Sequence, residues 1–443
     1  MDLSGRRVLI VGLGHSGVAA ARLCARRGAK VTGLDAKKDV DPSVRAIDGI
    51  TLALGSNEAA DPASFDLVVV SPGVPSFSGL EAAERKGVPI VGEIELAVSS
   101  LKHPAPIAAI GGTNGKSTTT TLVGELLAEG SRKVFTGGNL GEPLASHADE
   151  AFDVIVLEVS SFQMERVDTF KPKSASLLNV TEDHLDRYPS FAAYAAAKGN
   201  CFRRQDAGDV AVIPVGDDVC MAEARRGRGR IVTFGTDPKA DVVVTSDAVV
   251  DRLTGQRFLR SDVALQGGHN ALNVAAALAM LAPFSVSESH RRNVLKTFAG
   301  LGHRMALVAE IAGVRYYDDS KGTNVGAVVT ALAGIVEPKA VLIAGGKDKG
   351  GSYEPLVTAL LSKGRAAVLI GEAAPLIERA IGGKIPVERA TTMDDAVARA
   401  QKLALRGDAV LLSPACSSFD MYRDYKHRGD EFVRAVKSLQ GGT

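Results

Sequence analysis

The segment Gly111 to Thr118 constrains what this chain can fold into more than any other. An apolar run, Ile107 to Ile110, breaks into Gly111-Gly112-Thr113-Asn114-Gly115-Lys116-Ser117-Thr118, and a helical pattern follows from Lys116 to Glu129. Strand, glycine turn and helix form the context in which a backbone holds phosphate. Glycines let successive N–H groups turn toward phosphate oxygens. The helix N-terminus adds a partial positive charge, Lys116 a full one, and Ser117 or Thr118 a hydroxyl for Mg²⁺. The strict P-loop spacing falls short by one position, because Ile110 stands where its first glycine belongs. The plain alternative is a tight strand-to-helix turn with no ligand. The coincidence of glycines, lysine and hydroxyls favours a nucleotide.

At 443 residues the chain has length for about three domains. Its 45% hydrophobic and 23% charged residues are ordinary for a globular protein. Lys plus Arg is 52 and Asp plus Glu is 51, a net charge of +1. That balance argues against nucleic acid or an anionic membrane as a partner held by overall charge. No apolar run approaches the ~18 residues of a membrane span, and the run Val8 to Val11 is too short for a signal peptide. Cys24, Cys201, Cys220 and Cys416 are widely spaced without a CxxC pair. A reducing cytoplasm is therefore expected, without a disulfide framework or a zinc site.

Three blocks emerge: 1–94, 95–299 and 300–443. In the first, Val8 to Val11, Lys30 to Leu34 and Asp66 to Val70 are continuous apolar runs, and Gly17 to Arg27 reads as a helix stopped by Gly28. Runs without alternation predict parallel strands covered on both faces. The second block adds strands at Ile107 to Ile110, Asp153 to Val159 and Ser174 to Val180. It adds helices at Ser190 to Phe202 and Gly268 to Leu281, while Asp241 to Leu265 shows weak strand signals of no clear order. The third alternates strands at Val314 to Tyr317, Ala340 to Ala344, Ala366 to Ile370 and Ala409 to Leu412 with helical segments. The expected fold class is α/β in three domains: a Rossmann-like N-terminal domain, a P-loop-type central ATPase domain and a Rossmann-like C-terminal domain.

Other residues carry chemistry with competing readings. Glu158 ends the apolar run Val154 to Leu157, and a buried carboxylate there needs a partner, either Mg²⁺ as in a Walker-B arrangement or a structural cation. His184, in Asn179-Val-Thr-Glu-Asp-His184-Leu-Asp186, is either a metal ligand or a structural histidine. Lys198, among alanines, reads by composition as a solvated lysine. Gly12-Leu-Gly-His-Ser-Gly17 with Asp35 is by itself a dinucleotide fingerprint. It would make the chain a nicotinamide-dependent oxidoreductase, a scheme in which the 112–118 loop has no role.

The order of several motifs resolves these choices. Gly112-Thr-Asn-Gly-Lys-Ser-Thr118, Asn179-Val-Thr-Glu-Asp-His184, His269-Asn-Ala-Leu-Asn273 and Gly302-His-Arg304 together resemble the Mur ligases, the ATP-dependent amide-forming enzymes of peptidoglycan precursor synthesis. Asp319-Ser-Lys-Gly-Thr-Asn324, Gly345-Gly-Lys-Asp-Lys349 and Leu412 to Asp420 are similar to the family's D-glutamate-adding members. The resemblance spans essentially the whole chain.

That resemblance implies a first domain (1–94) that holds a UDP-sugar, with the Gly12–Gly17 turn on its pyrophosphate. His15, Ser16, Asp35, Lys37, Ser71, Pro72, Gly73 and Asn139 would bind that substrate, UDP-N-acetylmuramoyl-L-alanine. The family often has Asp-Thr-Arg where Asp35-Ala36-Lys37 stands here. A central domain (95–299) would bind ATP through Gly112, Thr113, Asn114, Gly115, Lys116, Ser117, Thr118 and Asn273, joined by Arg304 and Asp319 of the third domain (300–443). D-glutamate would meet Lys321, Thr323, Lys349, Ser418, Phe419 and Tyr425; here Tyr425 replaces a common phenylalanine and Gly322 a common alanine. Two Mg²⁺ ions are implied, with Ser117, Glu158, His184 and Lys198 as ligands, and Lys116, Glu158, His184 and Lys198 as the catalytic set. Lys198 matches a lysine carbamylated by CO₂. An ammonium ~5 Å from Mg²⁺ at an effective dielectric of ~20 would be repelled by roughly 7 kcal/mol, and a carbamate reverses that charge and supplies oxygen ligands. A cytoplasmic monomer that neither enters membranes nor binds nucleic acid completes the expectation.

Overall fold

The computed structural model describes residues 1–440. They form three sheets, distributed over two compact units. One unit comprises Met1–Val180, Ala192–Ala264 and Asn270–Phe298; the other comprises Thr181–Phe191, Leu265–His269 and the chain from Ala299 onward.

The first unit holds two sheets. The smaller has five parallel strands in the order Thr51–Leu54, Lys30–Asp35, Arg7–Val11, Leu67–Val70, Ile90–Gly92. The strand order turns back at Arg7–Val11, so the loops after this strand and after Leu67–Val70 flank a switch point, where open α/β sheets take ligands. The larger sheet has nine strands: Gln256–Leu259, Ala248–Asp251, Val242–Val244, Arg230–Gly235, Val210–Pro214, Ser174–Leu177, Ile107–Gly111, Val154–Glu158, Val134–Gly138. The segment with unordered strand signals becomes its antiparallel end, where Val242–Val244, Ala248–Asp251 and Gln256–Leu259 pair as a meander.

The second unit is built on a six-stranded sheet: Ala306–Ile311, Val314–Asp318, Ala409–Leu412, Ala340–Gly345, Gly364–Ile370, Val387–Arg389. Only the first pair is antiparallel. Its central strands show why the sequence lacks alternation. Ala340, Leu342 and Ala344 join the core on one face, and Val341 and Ile343 join the core on the other. A strand buried on both sides has no polar face to reveal its period.

The strands absent from the sequence expectation are mostly edges. Thr51–Leu54 and Ala306–Ile311 are only partly covered, and Val387–Arg389 is three residues long. Val210–Pro214 differs: its four buried residues form an apolar run like the others, and the pattern was legible there. Helix ends shift by small amounts. The first helix spans His15–Arg26 with Gly28 at φ 78°, and the helix predicted over Ser190 to Phe202 spans Phe191–Gly199. All four cysteines are buried free thiols, and among the described residues no helix is long and apolar enough to cross a membrane.

Between the two sheets of the first unit runs helix Glu93–Ser99, which carries two buried carboxyls. Glu95 is fully served, accepting from the N–H groups of Asp168, Thr169 and Phe170 and from the Thr169 hydroxyl. Glu93 accepts from Ala145 N–H at 2.9 Å with Oε1, while its buried Oε2 has no hydrogen-bond partner among the described residues. Burial pushes the Glu93 carboxyl from its ordinary 4.5 up to about 7. Between those values the folded chain keeps a proton that the unfolded chain has released, so stability falls as pH rises through that window and is lowest, for this group, above it. Glu93→Gln keeps the acceptor and cannot ionise. Calorimetric melting from pH 5 to 8 is expected to show the parent losing about 2–3 kcal/mol across the window relative to the variant. Parallel curves would refute this account of Glu93.

Candidate active site

The loop between Ile107–Gly111 and helix Lys116–Leu127 takes its shape from glycine. Gly112 has φ 132° and Gly115 φ 85°, both in the range that disfavours side chains. A Cβ on Gly115 would also overlap the Asn273 side-chain oxygen. Lys116 folds back so that Nζ donates to Thr113 O at 2.8 Å, which lays its charge over the loop. Ser117 and Thr118 are buried in the first turn of the helix.

Sheet register brings the next residues to this loop. Ile110 pairs with Glu158 across neighbouring parallel strands, so the Glu158 carboxylate sits one strand from the loop's entrance and is buried. Asn139 Nδ2 donates to Glu158 Oε1 at 2.6 Å, and Asn139 N–H donates to Glu158 O. Expected to face the sugar nucleotide, Asn139 is therefore also a direct partner of Glu158. On the other side, Asn179 grips the loop. Its carbonyl accepts from Thr113 N–H, its Oδ1 accepts from Asn114 N–H at 2.8 Å, and its Nδ2 donates to Asn114 O at 3.1 Å.

Lys198 is not a solvated lysine: it is 4% exposed. Its Nζ donates to Gly112 O at 2.8 Å and lies 4.5 Å from the centroid of the Tyr194 ring. The Tyr194 hydroxyl is 3.2 Å from Thr113 Oγ1. Asn273 Nδ2 donates to Asn270 Oδ1 at 3.2 Å, in the helix that lies against Gly115. Ser117 and Glu158 supply hard oxygen donors beside a phosphate-shaped loop, a donor set that fits Mg²⁺.

The other glycine turn of this unit has the same logic. Gly12 has φ 85°, and a Cβ on Gly17 would overlap Gly12 O. Asp35 spends both oxygens on backbone, accepting from Leu13 N–H at 2.8 Å and Lys37 N–H at 2.9 Å. Ser71 Oγ donates to Gly12 O at 2.6 Å. Asp35 and Ser71 thus shape the turn. His15, at the start of the helix, is exposed with Nε2 3.4 Å from Glu142 Oε2. Ser16 follows it; Lys37 lies on the loop after Lys30–Asp35, and Pro72 and Gly73 on the loop after Leu67–Val70.

The second unit gathers the rest. Asp319 follows strand Val314–Asp318 and is held by a 2.7 Å bond from Ser413 Oγ. Burial pushes its carboxyl up to about 7, against the Ser413 hydroxyl and the charge of Arg304. Lys321 Nζ lies 3.9 Å from the centroid of the Tyr425 ring. Thr323 is half-buried, Ser418 is buried and Phe419 is 71% exposed. His184 adopts φ 56° with Nε2 3.7 Å from Asp183 Oδ2. Asp183 also lies 3.5 Å from Lys349 Nζ and 3.3 Å from Asn324 Nδ2, which ties the His184 segment to the Lys349 and Asn324 loops.

The predicted residues therefore divide into clusters. The 112–118 loop, Glu158, Asn139, Lys198 and Asn273 come together in the first unit. His184, Lys349 and the Asp319–Asn324 loop belong to the second. Sequence reasoning assigned no role to Asn179, Asp183, Tyr194 or Arg428. Asn179 and Asp183 stand inside a motif already singled out; nothing local marks Tyr194 or Arg428.

Known proteins are similar to this chain in sequence and fold. The Mur ligase MurD-like N-terminal domain matches residues 6–92, the Mur ligase middle domain 110–281, and the Mur ligase glutamate ligase domain 303–416. A UDP-N-acetylmuramoylalanine–D-glutamate ligase of Geotalea daltonii is 43% identical, over 100% of this chain and 99% of its own. One from Desulfosudis oleivorans is 45% identical, over 100% and 98%. Among solved structures, the UDP-N-acetylmuramate-alanine ligase of Thermotoga maritima shares the fold at TM-score 0.61 and 20% identity, covering 98% of this chain and 100% of its own. The MurF ligase of the same organism, in complex with ADP, does so at TM-score 0.63 and 18% identity, covering 99% and 100%. The chain belongs to the Mur ligase family, in its UDP-N-acetylmuramoylalanine–D-glutamate ligase group.

Proposed function

We propose that this chain spends ATP to join D-glutamate to UDP-N-acetylmuramoyl-L-alanine, in the cytoplasmic stage of peptidoglycan precursor synthesis. The observation that carries the reading is the 112–118 loop, with Lys116 laid across it and Glu158 in register beside it. Full-length similarity to D-glutamate ligases supplies the substrates.

A carboxylate resists attack by an amine because oxide is a very poor leaving group. Moving the γ-phosphoryl of ATP onto the carboxylate of the bound L-alanine gives an acyl phosphate. The D-glutamate amine then adds, and phosphate leaves from the tetrahedral intermediate. Two anions must meet in the first step. Loop N–H groups and Lys116 offset their repulsion and spread charge on the transferring group. Mg²⁺ held by Ser117 and Glu158 supplies further neutralisation when bound. Asn179 and the glycines keep the loop in one shape, and Asn139 orients Glu158. Lys198, as a carbamate, and His184 would each supply a ligand atom to Mg²⁺.

In this reading residues 1–94 hold the UDP-sugar through the Gly12–Gly17 turn with His15, Ser16, Asp35, Lys37, Ser71, Pro72 and Gly73. Residues 95–299 bind ATP through the loop and Asn273. Residues 300–443 add Arg304 and Asp319 toward ATP, and Lys321, Thr323, Lys349, Ser418, Phe419 and Tyr425 toward D-glutamate. Lysines and hydroxyls suit a dicarboxylate. The enzyme works as a monomer in the cytoplasm, without nucleic-acid or membrane partners.

Phosphate release with UDP-N-acetylmuramoyl-L-alanine, ATP and a panel of D- and L-amino acids tests this. D-glutamate is expected to exceed every other amino acid by at least about 100-fold in kcat/KM, because a buried polar site left unmatched is costly. A better rate with another amino acid would overturn the substrate assignment.

A further inference from the structure

Arg428 has no role in the scheme above. It lies in helix Tyr425–Gln440 and is the largest fully buried side chain among the described residues, 1% exposed. Its guanidinium makes no ion pair among the described residues. It donates only to uncharged oxygens: Nε to Ser320 Oγ at 3.0 Å, Nη2 to Ser320 O at 2.8 Å, and Nη1 to Cys416 O at 3.2 Å. Two acids act on it only through space. Asp318 accepts from Ser320 N–H and lies 2.6 Å from His303 Nδ1; Asp420 Oδ2 accepts from Glu372 N–H, and the charge of both carboxylates favours the Arg428 cation without bonding to it. Burial lowers Arg428 to about 10, so it remains a cation at neutral pH.

The contacts matter for what they join. Ser320 precedes Lys321, and its hydroxyl donates to Tyr425 O at 2.7 Å. Cys416 precedes Ser417, which pairs with Lys347 in both directions on the loop that leads to Lys349. A Cβ on Gly346 would come within 3.2 Å of Arg428 Nη1. One guanidinium thus meets the Ser320 loop, the Cys416 loop and Gly346, and Ser320 passes the link to Tyr425. These four segments carry the residues assigned to the amino acid. Asp319, assigned to the nucleotide, is anchored separately by Ser413 and by its N–H to Leu412 O.

We propose that Arg428 is a positioning residue of the amino-acid pocket, holding three loops against the start of its own helix in one arrangement and supplying a buried positive charge for a dicarboxylate substrate. The inference rests on the assignment of those loops to D-glutamate. A buried guanidinium with no carboxylate in hydrogen-bond contact is only partly compensated in the free protein by Asp318 and Asp420 through space, and an incoming dicarboxylate adds to that compensation. Arg428→Lys keeps the charge, but a single ammonium cannot span Ser320 O and Cys416 O as the planar fork does. Ser320→Ala is the milder probe; it removes one guanidinium bond and the link to Tyr425.

The test is steady-state phosphate release by the full-length enzyme, with KM measured for all three substrates. Arg428→Lys is expected to raise KM for D-glutamate by about 10-fold or more, and Ser320→Ala by about 3- to 5-fold, a hydrogen bond or two each. KM for ATP and for UDP-N-acetylmuramoyl-L-alanine should stay within about twofold, as should kcat at saturating D-glutamate. Equal rises in all three KM values, or an unchanged KM for D-glutamate, would refute a pocket-specific role. Should Arg428→Lys fail to fold, Ser320→Ala decides by the same criteria. A parent enzyme that releases no phosphate in response to D-glutamate would instead defeat the assignment of the pocket itself.

Discussion

Lys116→Ala is expected to lower kcat/KM by about 10³-fold, roughly 4 kcal/mol of transition-state stabilisation. The reason is where the charge sits. Nζ is already directed over the loop by its bond to Thr113 O, so little reorganisation stands between the resting protein and a bound phosphate. In the first step two anions approach, and a cation already fixed over the loop, and partly buried, acts more strongly there than one free in solvent. The fold should survive, because alanine is the best helix former and this residue opens the helix. Lys116→Arg should not restore the rate, since a planar fork does not reproduce a compact ammonium inside a tight loop. Coupled ADP-release kinetics on both variants, with melting temperatures alongside, provide the check. Retention of more than about a third of the parental kcat/KM in Lys116→Ala would remove phosphoryl transfer at this loop from the account.

Lys198→Ala should cost nearly as much, about 10²- to 10³-fold in kcat. The side chain is buried against Gly112, the first glycine of the loop. As an ammonium in that place it would oppose a metal ion by several kcal/mol. As the proposed carbamate it would bring oxygen donors and negative charge. The two forms predict different rescue. Small carboxylates such as acetate or propionate, added to Lys198→Ala, are expected to restore part of kcat in a saturable way; small amines are expected to do nothing. Rescue by methylamine alone would show that the ammonium is the working form. A loss with no rescue by either, accompanied by a lower melting temperature, would assign Lys198 to packing of the loop.

Much of this protein could be read along the chain. The phosphate loop was legible because its parts are contiguous: an apolar run, glycines, lysine and hydroxyls within a dozen positions. The buried strands of the third sheet were legible because both faces are covered, which leaves continuous apolar runs such as Ala340 to Ala344. Edge strands were not, since Ala306–Ile311 and Val387–Arg389 bury too little to need an apolar pattern. The meander from Val242 to Leu259 was seen only as weak strand signals, because antiparallel pairing depends on register and not on composition.

By itself the sequence determined the local chemistry: which turns are glycine-rich, which carboxylate ends a strand, which lysines and hydroxyls recur in motif order. Tertiary structure alone decided how those groups are held. Register across separate strands set Glu158 beside Ile110; Asn179 reached back to grip the loop; Asp35 turned to the Gly12–Gly17 turn; Arg428 was buried among loops distant in sequence. The division has one physical cause. Backbone propensity and apolar periodicity act over a few residues and leave marks in the order of the chain. A buried hydrogen bond between distant residues is satisfied only once packing brings donor and acceptor together.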